Sequence, residues 1–302
     1  MEPERAASEA LVAALFISLF GAPAAGQAMP GNRDAFSQLE YNGWQRVAGK
    51  YESAWGGLTK LFIGPLLEAI EVKPGIALLD VACGPGYVAE AAKAVRATPV
   101  GLDFSTAMVQ LAQARDREIS FVCADAQALP LGPAMFDAVV MNFGLLHLPD
   151  PEAALAEGRR VLRRGGRYGF SVWAGPEQSA GAGIVDEAIR AHAKVDVDLP
   201  TGPDYYGYSD REECRRVLHW VGFDPGSLRF RTVTGIWQVP SASFVFAAER
   251  DAGVRTAALL AVQPPAVCAA IEAQMAAGFI PYRNADGFGI PYAVHVVSVV
   301  AA

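Results

Sequence analysis

Short apolar runs alternate with helical patterns along the middle of the chain, and this alternation predicts the fold. An apolar run over 77–82 is followed by a glycine turn and then by a helical pattern over about 87–96. A second apolar run follows at 99–102 and a third at 119–124. Strands and helices that alternate in this way are typical of βα units that build a parallel sheet.

The pattern continues through two further strands. The run 136–142 has the composition of a fully buried strand, and Asp150 before Pro151 indicates the start of a helix that extends to about Arg164. A fifth strand follows at 167–173. Right-handed crossovers between such units give a doubly wound sheet, in which ligands bind beyond the carboxyl ends of the strands.

The pattern loosens after Ala174 and becomes regular again in the last third of the chain. A capping box over 209–212 predicts a helix, and strands are expected at 228–239 and 290–300. Residues 241–279 have a helical pattern between these strands. We therefore expect an α/β protein with a Rossmann-like, doubly wound, mostly parallel seven-stranded sheet, helices on both faces and a helical cap.

A glycine turn follows the first strand, and its surroundings indicate the kind of ligand. Gly84, Gly86 and Ala89 match the loose dinucleotide pattern, which several cofactor classes share. A dinucleotide would place its pyrophosphate at the helix N-terminus, where Asp80 at the end of the preceding strand would oppose it. A ligand with a cationic ammonium and sulfonium would instead be favoured by this carboxylate.

Aspartates also end the next two strands. Asp103 closes the second strand, where its two carboxylate oxygens can accept from both hydroxyls of a ribose. Asp125 ends the third strand beside Ala126 and suits an adenine amino group, with Phe104 and Met108 as apolar covers for the ring. One such aspartate is commonly a turn residue. Three in register with a glycine turn indicate a single nucleoside-containing ligand.

Together these segments resemble the class I S-adenosylmethionine-dependent methyltransferases, and within them the type 11 branch that includes the menaquinone and ubiquinone C-methyltransferases. The resemblance covers roughly residues 77 to 174. It departs from the family at Ala82, where glycine is commoner, and at Arg164, where proline often precedes two glycines. The matching segments are 78–86, 100–105, 124–126, 136–137, His147 and 160–166.

The resemblance implies that S-adenosylmethionine is the cofactor and that S-adenosylhomocysteine is its product. Asn142, after the fourth strand, would line the methyl-transfer pocket. Ala82 is expected to be tolerated in place of glycine, provided that its φ is negative. The cofactor-binding residues that the resemblance implies are Asp80, Ala82, Gly84 and Gly86 for the methionine portion, Asp103 for the ribose, and Asp125 and Ala126 for the adenine.

The acceptor side is predicted from aromatic residues and one histidine. His147 follows the fourth strand and is our candidate general base, although a loop histidine bonded to backbone is an alternative interpretation. We expect a small apolar or aromatic acceptor that is methylated on carbon, oxygen or nitrogen. Core packing explains each aromatic residue about equally well. The candidates for the acceptor pocket are Tyr51, Trp55, Phe143, Trp173, Tyr205 and Tyr206, with Tyr208 as a further part of the cover.

The N-terminus carries an apolar run over 10–25 that could be a signal peptide. The preceding segment has three glutamates against one arginine, whereas a secretory leader begins with positive charge, and the run is short for a membrane span. We expect a leader that is poorly structured or precedes the native start, and a cytoplasmic location, with membrane contact as a weak alternative. The predicted units are the leader 1–30 and one methyltransferase domain 31–302, with a helical cover 35–70, a cofactor-binding core 75–174 and a helical lid 241–285.

Composition argues against nucleic-acid and metal partners. The chain has 25 Lys and Arg against 32 Asp and Glu, a formal net charge of −7, which is the wrong sign for a polyphosphate backbone. Its four cysteines and four histidines are too scattered for a zinc site or an expected disulfide. Two alternative functions remain from the sequence, an NAD(P)-dependent reductase and a module that binds S-adenosylmethionine without catalysis.

Overall fold

The computed structural model describes residues 34–302. The predicted leader over 1–30, with its apolar run at 10–25, lies outside the described residues. Within 34–302, no helix is long and apolar enough to cross a membrane.

A central sheet of eight strands runs through the described part of the chain. The strands are β1 (Ala77–Val81), β2 (Thr98–Asp103), β3 (Ser120–Cys123), β4 (Phe136–Asn142), β5 (Leu162–Trp173), β6 (Phe223–Val239), β7 (Arg283–Asn284) and β8 (Gly287–Ala301). Seven of them lie side by side in the order β3-β2-β1-β4-β5-β8-β6, and the two-residue β7 pairs with β8. The first five strands pair in parallel, while β8 is antiparallel to both β5 and β6. The predicted α/β fold with a mostly parallel sheet is confirmed, with one short strand beyond the seven expected.

Helices cover both faces of this sheet. They are α1 (Ala35–Tyr51), α2 (Ile63–Ala69), α3 (Tyr87–Ala94), α4 (Thr106–Arg115), α5 (Pro151–Val161), α6 (Ala180–His192), α7 (Arg211–Trp220), α8 (Ser243–Ala252), α9 (Arg255–Ala261) and α10 (Pro265–Phe279). A π-helical turn (Glu52–Gly56), a short helical turn (Gly57–Thr59) and a 3-10 turn (Lys60–Phe62) connect α1 to α2.

Strand alternation divides the core between the two faces. Leu78 and Val140 belong to a buried cluster with side chains from α2, α6, α8, α9 and α10. Their neighbours Leu79 and Val139 belong to a second cluster with α5 and α7. Successive residues of a strand point to opposite faces, so β1 and β4 carry apolar side chains into both clusters.

The helix after Pro151 ends earlier than predicted. It stops at Val161, and Leu162 already pairs with Phe136 as the first residue of β5. The expectation that the helix continues to Arg164 was wrong, because the strand continues through the two glycines. Gly165 has a φ of +74°, and the pairing of β4 with β5 shifts register near this point.

Two helical patterns also differ from the prediction. In α4, the spacing of Met108, Leu111 and Ala112 predicts one shared face, and Met108 and Ala112 are buried, but Leu111 is 37% exposed. The capping box predicted over 209–212 is replaced by a single cap, in which Asp210 Oδ1 accepts from the Glu213 N–H at 2.7 Å.

Helix α6 lies where the sequence pattern was expected to be irregular. Its buried positions are Gly181, Val185 and Ala188, at spacings of four and three residues. The helical period is present, but glycine and alanine carry little hydrophobicity, so the pattern is weak in the sequence. This helix forms part of the wall of the site described below.

Candidate functional site

A cavity of about 750 Å³ opens at the carboxyl ends of the parallel strands. Ala82, Asp103, Asp125, Asn142 and Trp173, which follow or end β1 to β5, contribute to its wall. The opposite side is formed by α1, α6 and the connection between α8 and α9. The volume falls in the range of small-molecule and cofactor sites, about 300–1,000 Å³. The cavity therefore lies where a doubly wound sheet is expected to bind its ligand.

The turn after β1 is built from residues in the left-handed backbone region. Gly84 has a φ of +52° and lines the cavity, and a Cβ added there would meet nothing within 4 Å. Gly86 has a φ of +84° and precedes α3, where a Cβ would come within 2.9 Å of Phe121. The described cavity wall includes Gly84 but not Gly86. The turn thus exposes backbone to the cavity at one glycine and packs tightly at the other.

Ala82 departs from what the sequence suggested. Its φ is +54°, so the condition of a negative φ, under which alanine is expected to be tolerated here, is not met. Alanine in this region costs about 1–2 kcal/mol relative to ordinary backbone. The residue lines the cavity, so the strained position belongs to the site itself.

Asp80 lies beneath the turn and is not part of the described cavity wall. Its side chain is fully buried, and Oδ2 accepts from the Ala89 N–H of the first turn of α3 at 3.1 Å. Burial raises the pKa of Asp80 to about 8, and the charge of Asp103 acts in the same direction. Its other oxygen, Oδ1, has no hydrogen-bond partner in the described structure. The structure shows Asp80 capping α3, and its contact with the methionine portion stays a prediction.

Asp103 joins the end of β2 to the glycine turn. Oδ2 accepts from the Gly84 N–H and Oδ1 from the Ser105 N–H, both at 2.8 Å. The side chain is buried, which raises the pKa of Asp103 to about 6, yet it lines the cavity. Each carboxylate oxygen keeps a further lone pair, so the fixed side chain can still accept from ribose hydroxyls.

The candidate adenine residues lie together in the cavity wall. Phe104, Met108, Asp125 and Ala126 all line it. Asp125 Oδ1 accepts from the Gln127 N–H at 2.9 Å and from Gln127 Nε2 at 3.0 Å. Gln127 also lines the cavity and was not predicted. The group offers an apolar slot with a carboxylate and an amide at its edge.

Asn142 ends β4 and Phe143 follows it, and both residues line the cavity. Asn142 Oδ1 accepts from the Ser171 hydroxyl, which fixes the amide so that its nitrogen is available to a ligand. Phe143 has a φ of +59° and stacks on Trp173 with ring centroids 4.1 Å apart. For a bulky residue this backbone conformation is an outlier.

His147 is held by a buried carboxylate. Its Nδ1 lies 2.9 Å from Oε2 of Glu40, a fully buried residue of α1. Trp44 Nε1 donates to the same oxygen at 3.1 Å, and the Trp44 ring meets the imidazole edge-on at 4.8 Å. The alternative interpretation, a loop histidine bonded to backbone, does not describe this contact. A carboxylate on Nδ1 favours the tautomer with the proton there, which leaves Nε2 as a proton acceptor.

Aromatic side chains form much of the remaining wall. The Tyr51 hydroxyl lies 3.4 Å from Thr59 Oγ1, and Trp55 stacks on Trp237 at 5.4 Å. Tyr208 was expected among the covering residues, but it packs edge-on against Phe170 at 6.3 Å and is not part of the described cavity wall. The six predicted acceptor-pocket residues that line the cavity are Tyr51, Trp55, Phe143, Trp173, Tyr205 and Tyr206.

Sequence reasoning missed several residues of the wall and its surroundings. Glu40 sits on the buried face of α1 with Phe36, Gly43 and Val47, and a glutamate at such a position is the signal that could have found it. The others come from segments that no motif marks, so only the fold brings them here. They are Ala182, Val185, Asp186 and Ile189 of α6, Glu249 of α8, Arg255 of α9 and Tyr292 of β8.

Comparison with known proteins gives a consistent family. A model of the methyltransferase domain matches residues 79–170. The chain is 36% identical to a demethylmenaquinone methyltransferase of Renibacterium salmoninarum over 182 residues, which are 57% of this chain and 77% of that protein. It is 35% identical to the enzyme of the same name from Beutenbergia cavernae over 189 residues, 59% of this chain and 78% of that protein.

The chain belongs to the S-adenosylmethionine-dependent methyltransferases. Its fold is that of phosphoethanolamine N-methyltransferase 2 from Haemonchus contortus, solved with phosphomonomethylethanolamine and S-adenosylhomocysteine. The match has a TM-score of 0.54 at 16% identity and covers 89% of this chain and 60% of that one. The cofactor of the present chain, as a member of this family, is S-adenosylmethionine.

The charge of the cavity fits this cofactor. Among the described residues that line it, six are acidic, while Arg255 is the one permanent cation. A sulfonium and an ammonium are favoured in such a wall, whereas the pyrophosphate of a nicotinamide dinucleotide would be opposed. The family and the acidic wall together argue against the alternative function, an NAD(P)-dependent reductase. The acidic residues are Asp34, Asp103, Asp125, Asp150, Asp186 and Glu249.

Proposed function

We propose that this methyltransferase acts on a small aromatic acceptor whose nucleophilic group loses a proton. The observation that carries the proposal is the Glu40–His147 pair, which opens onto a cavity with aromatic walls. An aromatic slot favours a planar acceptor, and a proton acceptor beside it serves a phenol, a hydroquinone or an amine.

The cofactor would occupy the part of the cavity next to β1, β2 and β3. We assign the ribose to Asp103 and the adenine to the slot formed by Phe104, Met108, Asp125 and Ala126. The exposed backbone at Gly84 supports the assignment of the methionine portion to the turn, with Asp80 beneath it and Gly86 shaping it. Asn142 would lie beside the methyl group.

The acceptor would occupy the part next to β4, β5 and β8. The aromatic residues that contribute to the cavity wall are Tyr51, Trp55, Phe143, Trp173, Tyr205 and Tyr206. We expect these rings to hold the acceptor close to the methyl carbon and to exclude water, which are the main contributions a protein makes to an in-line displacement.

His147 would take the acceptor proton. When bound, S-adenosylmethionine would supply an electrophilic methyl group to the acceptor, with the neutral thioether of S-adenosylhomocysteine as the leaving group. The proton of the acceptor hydroxyl passes to His147 Nε2. The resulting imidazolium is stabilised by the Glu40 carboxylate on Nδ1.

The names of the relatives suggest the first acceptor to test. Quinone rings are poor in electrons, whereas a hydroquinone that has lost a hydroxyl proton is a good carbon or oxygen nucleophile. We therefore propose reduced demethylmenaquinone, or a smaller hydroxylated naphthalene, as the acceptor class. The net charge of −7 supports a partner other than nucleic acid, and the cofactor supports a cytoplasmic location.

The proposal is tested by His147→Ala with reduced demethylmenaquinone as acceptor. General-base catalysis typically contributes 10²–10⁴-fold, so we expect kcat to fall by about 100-fold. The affinity for S-adenosylhomocysteine should stay within about twofold, because His147 acts on the acceptor. Initial rates with labelled S-adenosylmethionine measure the first quantity, and calorimetry measures the second.

Two further variants control this test. Glu40→Gln keeps the size of the buried side chain and should lower kcat by a smaller factor than His147→Ala, with little change in KM. His192→Ala removes an exposed histidine that bonds Gln274, outside the described cavity wall, and should leave kcat unchanged. An unchanged kcat in His147→Ala would show that the acceptor ionises without this residue.

A further inference from the structure

Tyr292 lines the cavity and carries an unpaired hydroxyl. The residue is 4% exposed and lines the wall, and its buried hydroxyl oxygen has no hydrogen-bond partner in the described structure. A buried polar group without a partner costs about 1–3 kcal/mol, and most such groups in folded proteins are paired. A hydroxyl left unpaired at the edge of a binding cavity points to a partner on the ligand.

The Tyr292 ring is fixed, so its hydroxyl cannot turn away to find another partner. Trp173 and Trp237 meet the ring edge-on, at 6.0 and 5.7 Å between centroids. On the α6 side, a Cβ added to Gly181 would overlap the ring. Only a glycine at this position lets the helix backbone pack against the tyrosine. The hydroxyl is therefore held in one place before any ligand binds.

Glu249 provides a complementary group in the same cavity. It lies on α8, and burial raises the pKa of its carboxyl to about 7, against the effect of its hydrogen bond to Thr256. Its charge is the second cause, after burial, that raises the pKa of Tyr292 and of Tyr206. The carboxyl and both hydroxyl-bearing residues therefore line one cavity, and the charge of Glu249 acts on both tyrosines. Asp186 and Arg255 are the other charged residues of the wall on α6 and α9.

Tyr292 lies away from the residues assigned to the cofactor. Tyr292 is on β8, which is separated from β2 by β1, β4 and β5 in the sheet. Asp103 and Asp125 line the other end of the row of strand ends. A ligand group that meets Tyr292 and Glu249 therefore belongs to the acceptor and not to the nucleoside.

We propose that Tyr292 and Glu249 bind the polar group of the methyl acceptor and so determine which acceptor the enzyme binds. The Tyr292 hydroxyl donates to an oxygen of the acceptor, and the Glu249 carboxylate accepts from a hydroxyl or amine hydrogen. This inference rests on the proposed function, because it places the acceptor at the aromatic end of the cavity. Neither group takes part in the proton transfer, which belongs to His147.

The test compares 1-naphthol with naphthalene, two probes that differ by a single hydroxyl. Their binding to the full chain, in the presence of S-adenosylhomocysteine, is measured by quenching of tryptophan fluorescence, since Trp173 lines the cavity. We expect the wild-type protein to bind 1-naphthol about 10-fold more tightly than naphthalene. In Tyr292→Phe and in Glu249→Gln this ratio should fall to about threefold or less, with naphthalene affinity unchanged.

Tyr168 provides a matched control for the tyrosine. It is also fully buried with an unpaired hydroxyl, but it is not part of the described cavity wall. Removing either hydroxyl should leave thermal stability equal or higher, whereas only Tyr292→Phe should reduce the preference for 1-naphthol. Glu187→Gln, an exposed glutamate of α6, controls for the loss of charge.

The outcomes separate this inference from the proposed function. A wild-type ratio that persists in both Tyr292→Phe and Glu249→Gln overturns the inference, and it leaves methyl transfer through His147 untouched. A wild-type protein that binds neither probe contradicts the aromatic acceptor site itself, and with it the inference. Binding is measured without turnover, so a low methylation rate does not affect the result.

Discussion

Two residues in the cavity wall adopt backbone conformations that their side chains disfavour. Ala82 has a φ of +54° and Phe143 a φ of +59°, and they follow β1 and β4, which are neighbours in the sheet. Strain of this kind persists where the surrounding structure holds it, and it is often found at functional sites. The Ala82 methyl group also packs closely against Gly144, because a Cβ added to Gly144 would lie 2.8 Å from it.

Ala82→Gly should therefore stabilise the protein without its ligands. Glycine accepts a positive φ freely, so we expect the free energy of unfolding to rise by about 0.5–1 kcal/mol, after the greater chain entropy of glycine is subtracted. Urea denaturation measures this change. Ala91→Gly in α3 is the control and should lose about 0.5–1 kcal/mol, because its backbone is ordinary helix. A loss of stability in Ala82→Gly would contradict the strain argument.

Among single residues, those proposed for the cofactor are marked by motifs in the sequence, whereas Tyr292 and Glu249 on the acceptor side are not. Asp103 and Asp125 are recognisable because each ends an apolar run, and strand ends share one edge of a parallel sheet. Asp80 shares that pattern, but its side chain lies under the loop and accepts from an N–H of the first turn of α3. This orientation depends on local geometry, which the sequence pattern does not show. Tyr292 lies in an apolar strand and Glu249 stands beside Arg250 and Asp251 on a helix, so nothing in their sequence neighbourhood marks them.

Among the secondary-structure elements, α1 lies over the part of the cavity proposed for the cofactor. Gln45 connects this helix to the start of α4 by hydrogen bonds. Gln45 Oε1 accepts from the Ser105 hydroxyl at 3.0 Å and from the Ala107 N–H at 2.8 Å. Its Nε2 donates to Thr106 Oγ1 at 2.6 Å. Ser105 lies two residues after Asp103, and its N–H donates to the Asp103 carboxylate. Gln45 therefore ties α1 to the loop that carries the candidate ribose ligand.

Gln45→Ala should therefore weaken cofactor binding while leaving the fold intact. The variant removes three hydrogen bonds between α1 and the start of α4, each with a net contribution of about 0.5–1.5 kcal/mol. We expect the Kd for S-adenosylhomocysteine to rise by about 3–10-fold in calorimetry. Gln38→Ala is the control, because Gln38 bonds Asn42 within α1 on an exposed surface. Equal affinities in the two variants would show that the attachment of α1 does not affect the cofactor site.

Elements with strong hydrophobic periods could be predicted from the sequence, and elements with weak ones could not. The strands β1 to β4 and the helices between them follow from apolar runs separated by turn residues. Helix α6 was missed because Gly181 and Ala188 occupy two of its buried positions. The end of α5 was misplaced because the strand pairing of Leu162 with Phe136, a contact between distant residues, decides it.

Across the whole molecule, the order of the strands arranges the site. The strand ends run from Asp125 after β3, through Asp103 and Asn142, to Trp173 at the end of β5, and Tyr292 lies on β8 beyond it. The residues proposed for the cofactor come from one continuous stretch of the chain, 80–142, which is why their motifs can be recognised in the sequence. The rest of the wall combines α1, α6, the α8–α9 connection and β8, which only folding brings together.

The most direct test of the cofactor site is calorimetric titration of S-adenosylhomocysteine and of NADPH into the wild-type protein and Asp103→Asn. We predict that the wild type binds S-adenosylhomocysteine at least about 10-fold more tightly than NADPH, because the acidic wall opposes a pyrophosphate. Loss of the charged acceptor in Asp103→Asn should weaken S-adenosylhomocysteine by about 10–100-fold, since hydrogen bonds to charged groups contribute about 1.5–3 kcal/mol. Asp224→Asn, on the exposed surface, should bind like the wild type. Unchanged affinity for S-adenosylhomocysteine in a folded Asp103→Asn variant, or tighter binding of NADPH by the wild type, would contradict the assignment of this site to S-adenosylmethionine.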